Sequence, residues 1–371
     1  GVAQWEKTYT VADALDVDQR QVLWRLGIAY ANLREYDKAL SLFEKVYALD
    51  EPEPDFILDY AQLAYAMGEV DLAKSLTVKW DAQASEDGES RDWKELLALE
   101  ELTDGQRLLD FYEENYLYND QRPLLDSVRK EYAQKVTLTE SDLLKFWQQM
   151  AIFKEPFTFY VAGDEFKAYM EMEDSESCYG GVVDDQTYYI RIDFFSEQTD
   201  HEFYDQLKEM VHPEQTDLII DLRSNGGGDV ESAFNVLDYL LGNVKTGKLV
   251  NRQFEPTVYY SDWDYTPVRK VILWTDAYSA SSSEIVTLGL KHYLSGTTII
   301  GQNTFGKGVA QSLFYPGSED WVGFLVSDKW YIDGINIHGK GIAPDQVIQG
   351  EASEDYQMAT EKLTGHQWPK N

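Results

Sequence analysis

Near Pro156 the spacing of apolar residues changes period, and this change constrains the fold more than any other feature of the chain. Downstream of it, "FTFYVAG", "TYYIRIDFF", "DLIIDLR", "KVILWTD" and "TTIIG" are short runs rich in aromatic and β-branched residues, as strands are. Between them "HEFYDQLKEMV", "ESAFNVLDYLLG" and "SSEIVTLGLKHYL" read as helices. Strands alternating with helices predict an α/β core with largely parallel strands. The end, "WVGFLVSDKWYIDGINIHGKGIAPDQVI", is β-rich, with glycines suited to turns.

Upstream of Pro156 the pattern is helical. In "VLWRLGIAYANLREYDKALSLFEKVYAL", Leu26, Gly27, Tyr30, Ala39, Leu42 and Phe43 recur at helical spacing. The order L-G-x-x-Y then A-x-x-x-F resembles a tetratricopeptide repeat, whose period is about 34 residues. On that period Gly27 maps to Ala61 and Ala39 to Ala73, the small-residue positions where paired helices touch. The second copy, "DYAQLAYAMGEVDLAKSL", is degenerate, with Ala64 for Tyr30 and Thr77 for Phe43. The acidic stretch "AQASEDGESR" is a predicted loop, and helical patterns resume in "DWKELLALEELTDGQRLLDFYEENYL" and "TESDLLKFWQQMA", the latter capped by Thr139 or Ser141. The expected division is a multidomain one: helical repeats over 1–85, a helical linker over 86–155, and the α/β core with its β-rich end over 156–371.

Charge and composition exclude several classes. A net charge of −34 repels phosphate backbones and anionic lipid, so no nucleic-acid partner is expected. Cys178 is the single cysteine, which removes internal disulfides, redox pairs and cysteine zinc sites. No apolar run approaches the ~18 residues of a membrane span, no signal peptide is visible, and no clustered ligand spacing suggests a metal or other cofactor.

Three segments carry chemistry at the carboxyl ends of predicted strands, where α/β cores place their sites. "DLIIDLRSNGGGDV" runs a buried strand into Gly226, Gly227 and Gly228, whose N–H groups suit an oxyanion or a phosphate; a flexible turn explains the same residues. "SASSSEI" starts a helix, so its serines are either N-caps or a nucleophile at a positive dipole end. In "NTFGKGVAQSL", Lys307 lies near Phe305 and Val309: a surface lysine, or a base if desolvated.

Taken in order, "LIIDLRSNGGG", "SASSSEI", "IIGQNTFGKGVAQ" and "GKGIAPD" resemble the carboxy-terminal processing (tail-specific) serine proteases, peptidase family S41, from about Tyr188 to Val347. The resemblance implies a ClpP/crotonase-like α/β core and a serine endopeptidase acting through an acyl-enzyme. It implies Ser281 as nucleophile, Lys307 as base and Gln311 as the residue orienting the lysine. Oxyanion donors would be the backbone of Gly226 or Gly227 and of Ser282. The implied substrates are proteins or peptides bound as extended strands; the implied setting is exported, in the periplasm, at the cell surface or secreted. The helical repeats would hold a protein partner, substrate or second subunit. The chain departs from the family in three ways. The Ser281–Lys307 interval is about one residue longer than is usual in the family, which leaves Ser282 in competition. His292 replaces an acidic residue. No PDZ-like segment lies between the helices and the core. A non-catalytic binding protein of the same fold is the alternative.

The dyad has a physical requirement. At a pKa of ~10.4, about one lysine in 2,500 is neutral at pH 7, and a useful base needs a shift worth roughly 4 kcal/mol. The acidic chain opposes that shift, so burial beside Phe305 and Val309 has to supply it.

Overall fold

The computed structural model describes residues 19–32, 35–49, 53–82, 93, 102–118, 122–149, 156–315, 321–350 and 352–368. Most of the predicted acidic loop at 82–91 lies outside them. The chain forms two compact units, Gly1–Leu102 and Thr103–Asn371.

The first unit contains α1 (Arg20–Ala31), α2 (Tyr36–Tyr47), α3 (Pro54–Ala66) and α4 (Val70–Asp81). The small residues sit where the repeat pattern puts them. Gly27 is buried, and a Cβ there would stand 2.5 Å from Cε2 of Phe43. Ala39, Ala61 and Ala73 are fully buried in a core with Trp24, Phe43, Phe56 and Tyr60. Where Phe43 becomes Thr77, the hydroxyl donates to the carbonyl of Ala73 in its own helix and accepts from Trp93 Nε1.

In the second unit, α5 (Asp104–Asn115), α6 (Arg122–Tyr132) and α7 (Glu140–Gln149) come first. The Thr103–Gln106 capping box starts α5. Thr139 rather than Ser141 precedes α7 as its cap, its hydroxyl accepting from the Asp142 N–H. These helices, expected within a linker, share a core with the later strands: Leu108, Tyr112, Leu143 and Phe146 pack with Phe314, Trp321 and Leu325.

Two sheets follow. The six-stranded one has the order β11 (Gln346–Val347), β8 (Thr298–Gly301), β7 (Lys270–Thr275), β4 (Asp217–Asp221), β3 (Thr187–Ile192), β2 (Cys178–Asp184). All its pairs are parallel except β2–β3. Leu218 and Ile220 of β4 and Leu273 of β7 face α9 (Thr199–Lys208), α10 (Val230–Asp238) and α11 (Ser282–Tyr293). Ile219, Ile272 and Trp274 point the other way, onto Tyr356 and Ala359 of α12 (Ser353–Thr364). A parallel sheet covered on both faces explains the unbroken apolar runs of its central strands.

The second sheet is antiparallel: β1 (Phe159–Ala162), β10 (Trp321–Tyr331), β5 (Gly247–Val250) and β6 (Pro256–Tyr259), with β9 (Val309–Phe314) also on β10. Among the described residues from 102 to 185 there is no closed β module. The one other element there is α8 (Asp164–Glu173), and β1 and β2 each belong to a sheet of the core.

Candidate active site

The three segments singled out in the sequence meet at the carboxyl ends of β4 and β7. The chain leaves β7, turns through Asp276–Ala280 and enters α11, with Ser281 as N-cap. Its backbone has φ 55 and ψ −115, a conformation costing about 1–3 kcal/mol for a non-glycine residue. The four serines are sorted by their hydroxyls. Ser279 donates to the carbonyl of Leu222, Ser282 to that of Gly228 and Ser283 to that of Asn225. Those three sew the turn to the glycine loop. Ser281 Oγ donates to no acceptor among the described residues, and the residue is 4% exposed. Of the serines that could cap the helix, the later ones do not. Instead Ser281 is the cap, because Ser282 and Ser283 already lie within α11.

The glycine loop fits against this turn closely. A Cβ on Gly227 would come within 2.6 Å of Ser281 Cβ and 3.0 Å of the Ser282 nitrogen, and φ there is +100°. The Gly227 N–H donates to Asn225 Oδ1 at 2.8 Å. It is therefore not free for an oxyanion. Gly226 is exposed, and neither its N–H nor that of Ser282 reaches an acceptor among the described residues. Asp276 ties the same loop to the nucleophile turn: its Oδ2 accepts from Ser224 N–H, and its Oδ1 from Tyr278 and Ser279 N–H.

Glu284, three residues after Ser281, joins these segments. The side chain is fully buried. Its Oε2 accepts from the N–H of Ser281 at 3.0 Å and of Lys307 at 2.8 Å, so both backbone nitrogens lie within 3.0 Å of one oxygen. Its Oε1 accepts from Gly306 N–H at 2.8 Å and from the Thr304 hydroxyl. Burial pushes this carboxyl above its ordinary range, although the four donors pull the other way. Hydrogen bonds to a charged group contribute ~1.5–3 kcal/mol each, more together than the strain at Ser281. The Thr304 hydroxyl also accepts from Ile342 N–H at 2.8 Å, which joins the "GKGIAPD" segment to the cluster.

Lys307 Nζ donates to Gln311 Oε1 at 2.5 Å, and Gln311 Nε2 donates to the Phe157 carbonyl. The apolar neighbour of the ammonium differs from expectation. Phe305 is 55% exposed, and Phe157 lies with its ring centroid 5.5 Å from Nζ. Phe157 escaped sequence reading because it is 150 residues upstream and belongs to no motif. His292, the departure in the helix after the serine, pairs with Asp333 at 3.1 Å. Among the described residues no group of three or more His, Cys, Asp or Glu is arranged to hold a metal.

Residues 186–348 match peptidase family S41, and residues 21–80 match the family described as YpiA-like, C-terminal tetratricopeptide repeats. A carboxyl-terminal-processing protease of Synechocystis sp. is 28% identical over 187 residues, 48% of this chain and 44% of that protein. The carboxy-terminal processing protease CtpB of Bacillus subtilis is 32% identical over 166 residues, 43% of this chain and 34% of that protein. The chain thus spans less than half the length of these relatives. Two solved structures share the fold: a photosystem II D1 C-terminal processing protease (TM-score 0.51, 14% identity, 66% of this chain and 92% of that one) and a lipoprotein from Streptococcus agalactiae (TM-score 0.55, 17% identity, 71% and 95%). The architecture is therefore an N-terminal tetratricopeptide-like region followed by an S41-type α/β core.

Proposed function

From a core whose residues 186–348 match peptidase family S41, we propose that this chain is a serine endopeptidase working through a Ser281–Lys307 dyad and an acyl-enzyme. The observation that carries the reading is the shared carboxylate: Glu284 holds the backbones of Ser281 and Lys307 on one oxygen, while Ser281 alone of its four serines donates its hydroxyl to no described acceptor, its oxygen accepting from the Glu284 N–H.

Ser281 Oγ attacks the scissile carbonyl as neutral Lys307 takes its proton. The tetrahedral oxyanion is received by the N–H groups of Gly226 and Ser282, at the positive end of α11. The lysine then gives that proton to the leaving amine; in the second half it takes a proton from a water that attacks the acyl carbon and returns it to Ser281 Oγ as the acid departs. Gln311 fixes the direction of Nζ, and its own amide is held by the Phe157 carbonyl. Substrates are extended protein segments. The tetratricopeptide-like unit supplies a protein-binding surface for a substrate, a partner or a second copy, and the protease works outside the cytoplasm, as carboxy-terminal processing proteases do. No helix among the described residues is long and apolar enough to cross a membrane.

Hydrolysis of an unfolded protein substrate tests the dyad. Ser281→Ala and Lys307→Ala each abolish it with the fold intact, and the double variant is no worse, because members of one unit are not additive. Near-normal turnover by Ser281→Ala would sink the reading.

A further inference from the structure

One residue outside every recognised motif touches the proposed base from several sides. Phe157 lies in the turn before β1, pinned there because the hydroxyl of the next residue, Thr158, accepts from Val326 N–H of β10. Its carbonyl accepts from Gln311. Its ring lies 5.5 Å from Lys307 Nζ, and edge-on to Phe305 (6.0 Å) and His338 (5.8 Å). A single residue thereby holds the lysine's hydrogen-bond partner and sets its ring over one side of the half-buried lysine.

We infer that Phe157 is a positioning residue for the general base, which keeps Lys307 oriented through Gln311 and shielded from water so that its neutral form is available. The inference rests on the dyad reading above. Two physical effects of the ring oppose each other. An aromatic face favours the ammonium, but 5.5 Å is near the ~6 Å limit of that attraction. Exclusion of water from that side of the half-buried lysine disfavours the ammonium. Shielding is the larger effect, so loss of the ring makes Lys307 more basic. The titratable and charged neighbours of the lysine loop are Glu284 on α11, His338 and Lys340 in the loop packed on Gly306 and Gly308, and Asp328 and Lys329 opposite the start of β9. All remain in the variants below, so a difference between variants reports the ring.

The test is the rate at which a fluorophosphonate modifies Ser281 in the full chain, followed from pH 5 to pH 10. The wild-type rate rises with pH along a limb set by the lysine. Phe157→Ala moves that limb alkaline by about one pH unit, with a roughly 10-fold slower rate at neutral pH. Phe157→Tyr, which keeps the ring, restores the wild-type limb. Phe157→Leu, the substitute should the alanine variant not fold, moves the limb in the same direction by less. A limb that stays in place in the alanine or leucine variant, whatever the absolute rate, overturns the inference and leaves Phe157 a packing residue. If wild-type Ser281 is not modified at all, it is the dyad reading that fails and takes this inference with it.

Discussion

A methyl group added at Gly227 would strike Ser281 Cβ and the Ser282 nitrogen, whereas one added at Gly226 meets nothing within 4 Å. Adjacent glycines thus have opposite tolerances. Gly227→Ala is expected to lower the melting temperature and abolish turnover, at a cost of about 1–3 kcal/mol or more from strain and overpacking. Gly226→Ala is expected to leave the melting temperature within about a degree or two, since open surface substitutions are near neutral. Equal thermal shifts in the two variants would refute the close fit. Glu284 gives a second test with a definite sign. Its carboxyl is raised in the folded chain, chiefly by burial. The folded state therefore holds this proton more tightly than the unfolded state, and the group's contribution to stability falls as pH rises from the ordinary carboxylate range through the folded value. The clamp needs the ionised form to accept four donors, so activity rises across that same window. Glu284→Gln, whose amide presents donors to donors, should remove both slopes and cut kcat by about 10- to 100-fold. Unfolding and turnover measured against pH decide the matter; an unchanged kcat would remove Glu284 from the machinery. At this scale the motifs made Ser281, Lys307 and Gln311 legible. Asn225, Asp276 and the reach of Glu284 were not, because each acts through backbone groups that converge only after folding.

The elements were legible where their burial is local. The central strands are continuous apolar runs because both faces of the parallel sheet are covered, and that pattern survives in the sequence. The antiparallel sheet was not legible as a sheet, since β1 finds its partner β10 at Phe159↔Phe324. The same distance hid the place of α5–α7. Their apolar stripe called for a partner, and the partner is the Phe314–Trp321–Leu325 face of β9 and β10. Leu143 is fully buried in that cluster, so Leu143→Ala should destabilise by about 2–5 kcal/mol, and the loss should appear in unfolding of the same unit that contains Ser281. Loss of helix signal alone, with the β-rich core melting unchanged, would show that these helices are an independent linker after all. In the repeat unit the small residues do the specifying. Ala39 and Ala73 are fully buried, and replacing either by leucine should cost about 1–3 kcal/mol by overpacking, read as a lower denaturation midpoint.

The whole molecule divides at Leu102/Thr103 into units with separate hydrophobic cores. A chain beginning at Thr103 should therefore fold and retain reactivity at Ser281, while losing whatever protein contact the repeats make. Failure of that truncated chain to react would give the repeats a part in the chemistry itself. The acidic balance of −34 belongs to this scale too: it repels a nucleic-acid partner from composition alone, but it is silent about the site. The most direct test of the account is to map the adduct left by a fluorophosphonate on the wild-type chain by mass spectrometry. The modified residue is expected to be Ser281, with labelling lost in Lys307→Ala; an adduct on Ser282, or none on the segment Ser279–Ser283, would contradict it.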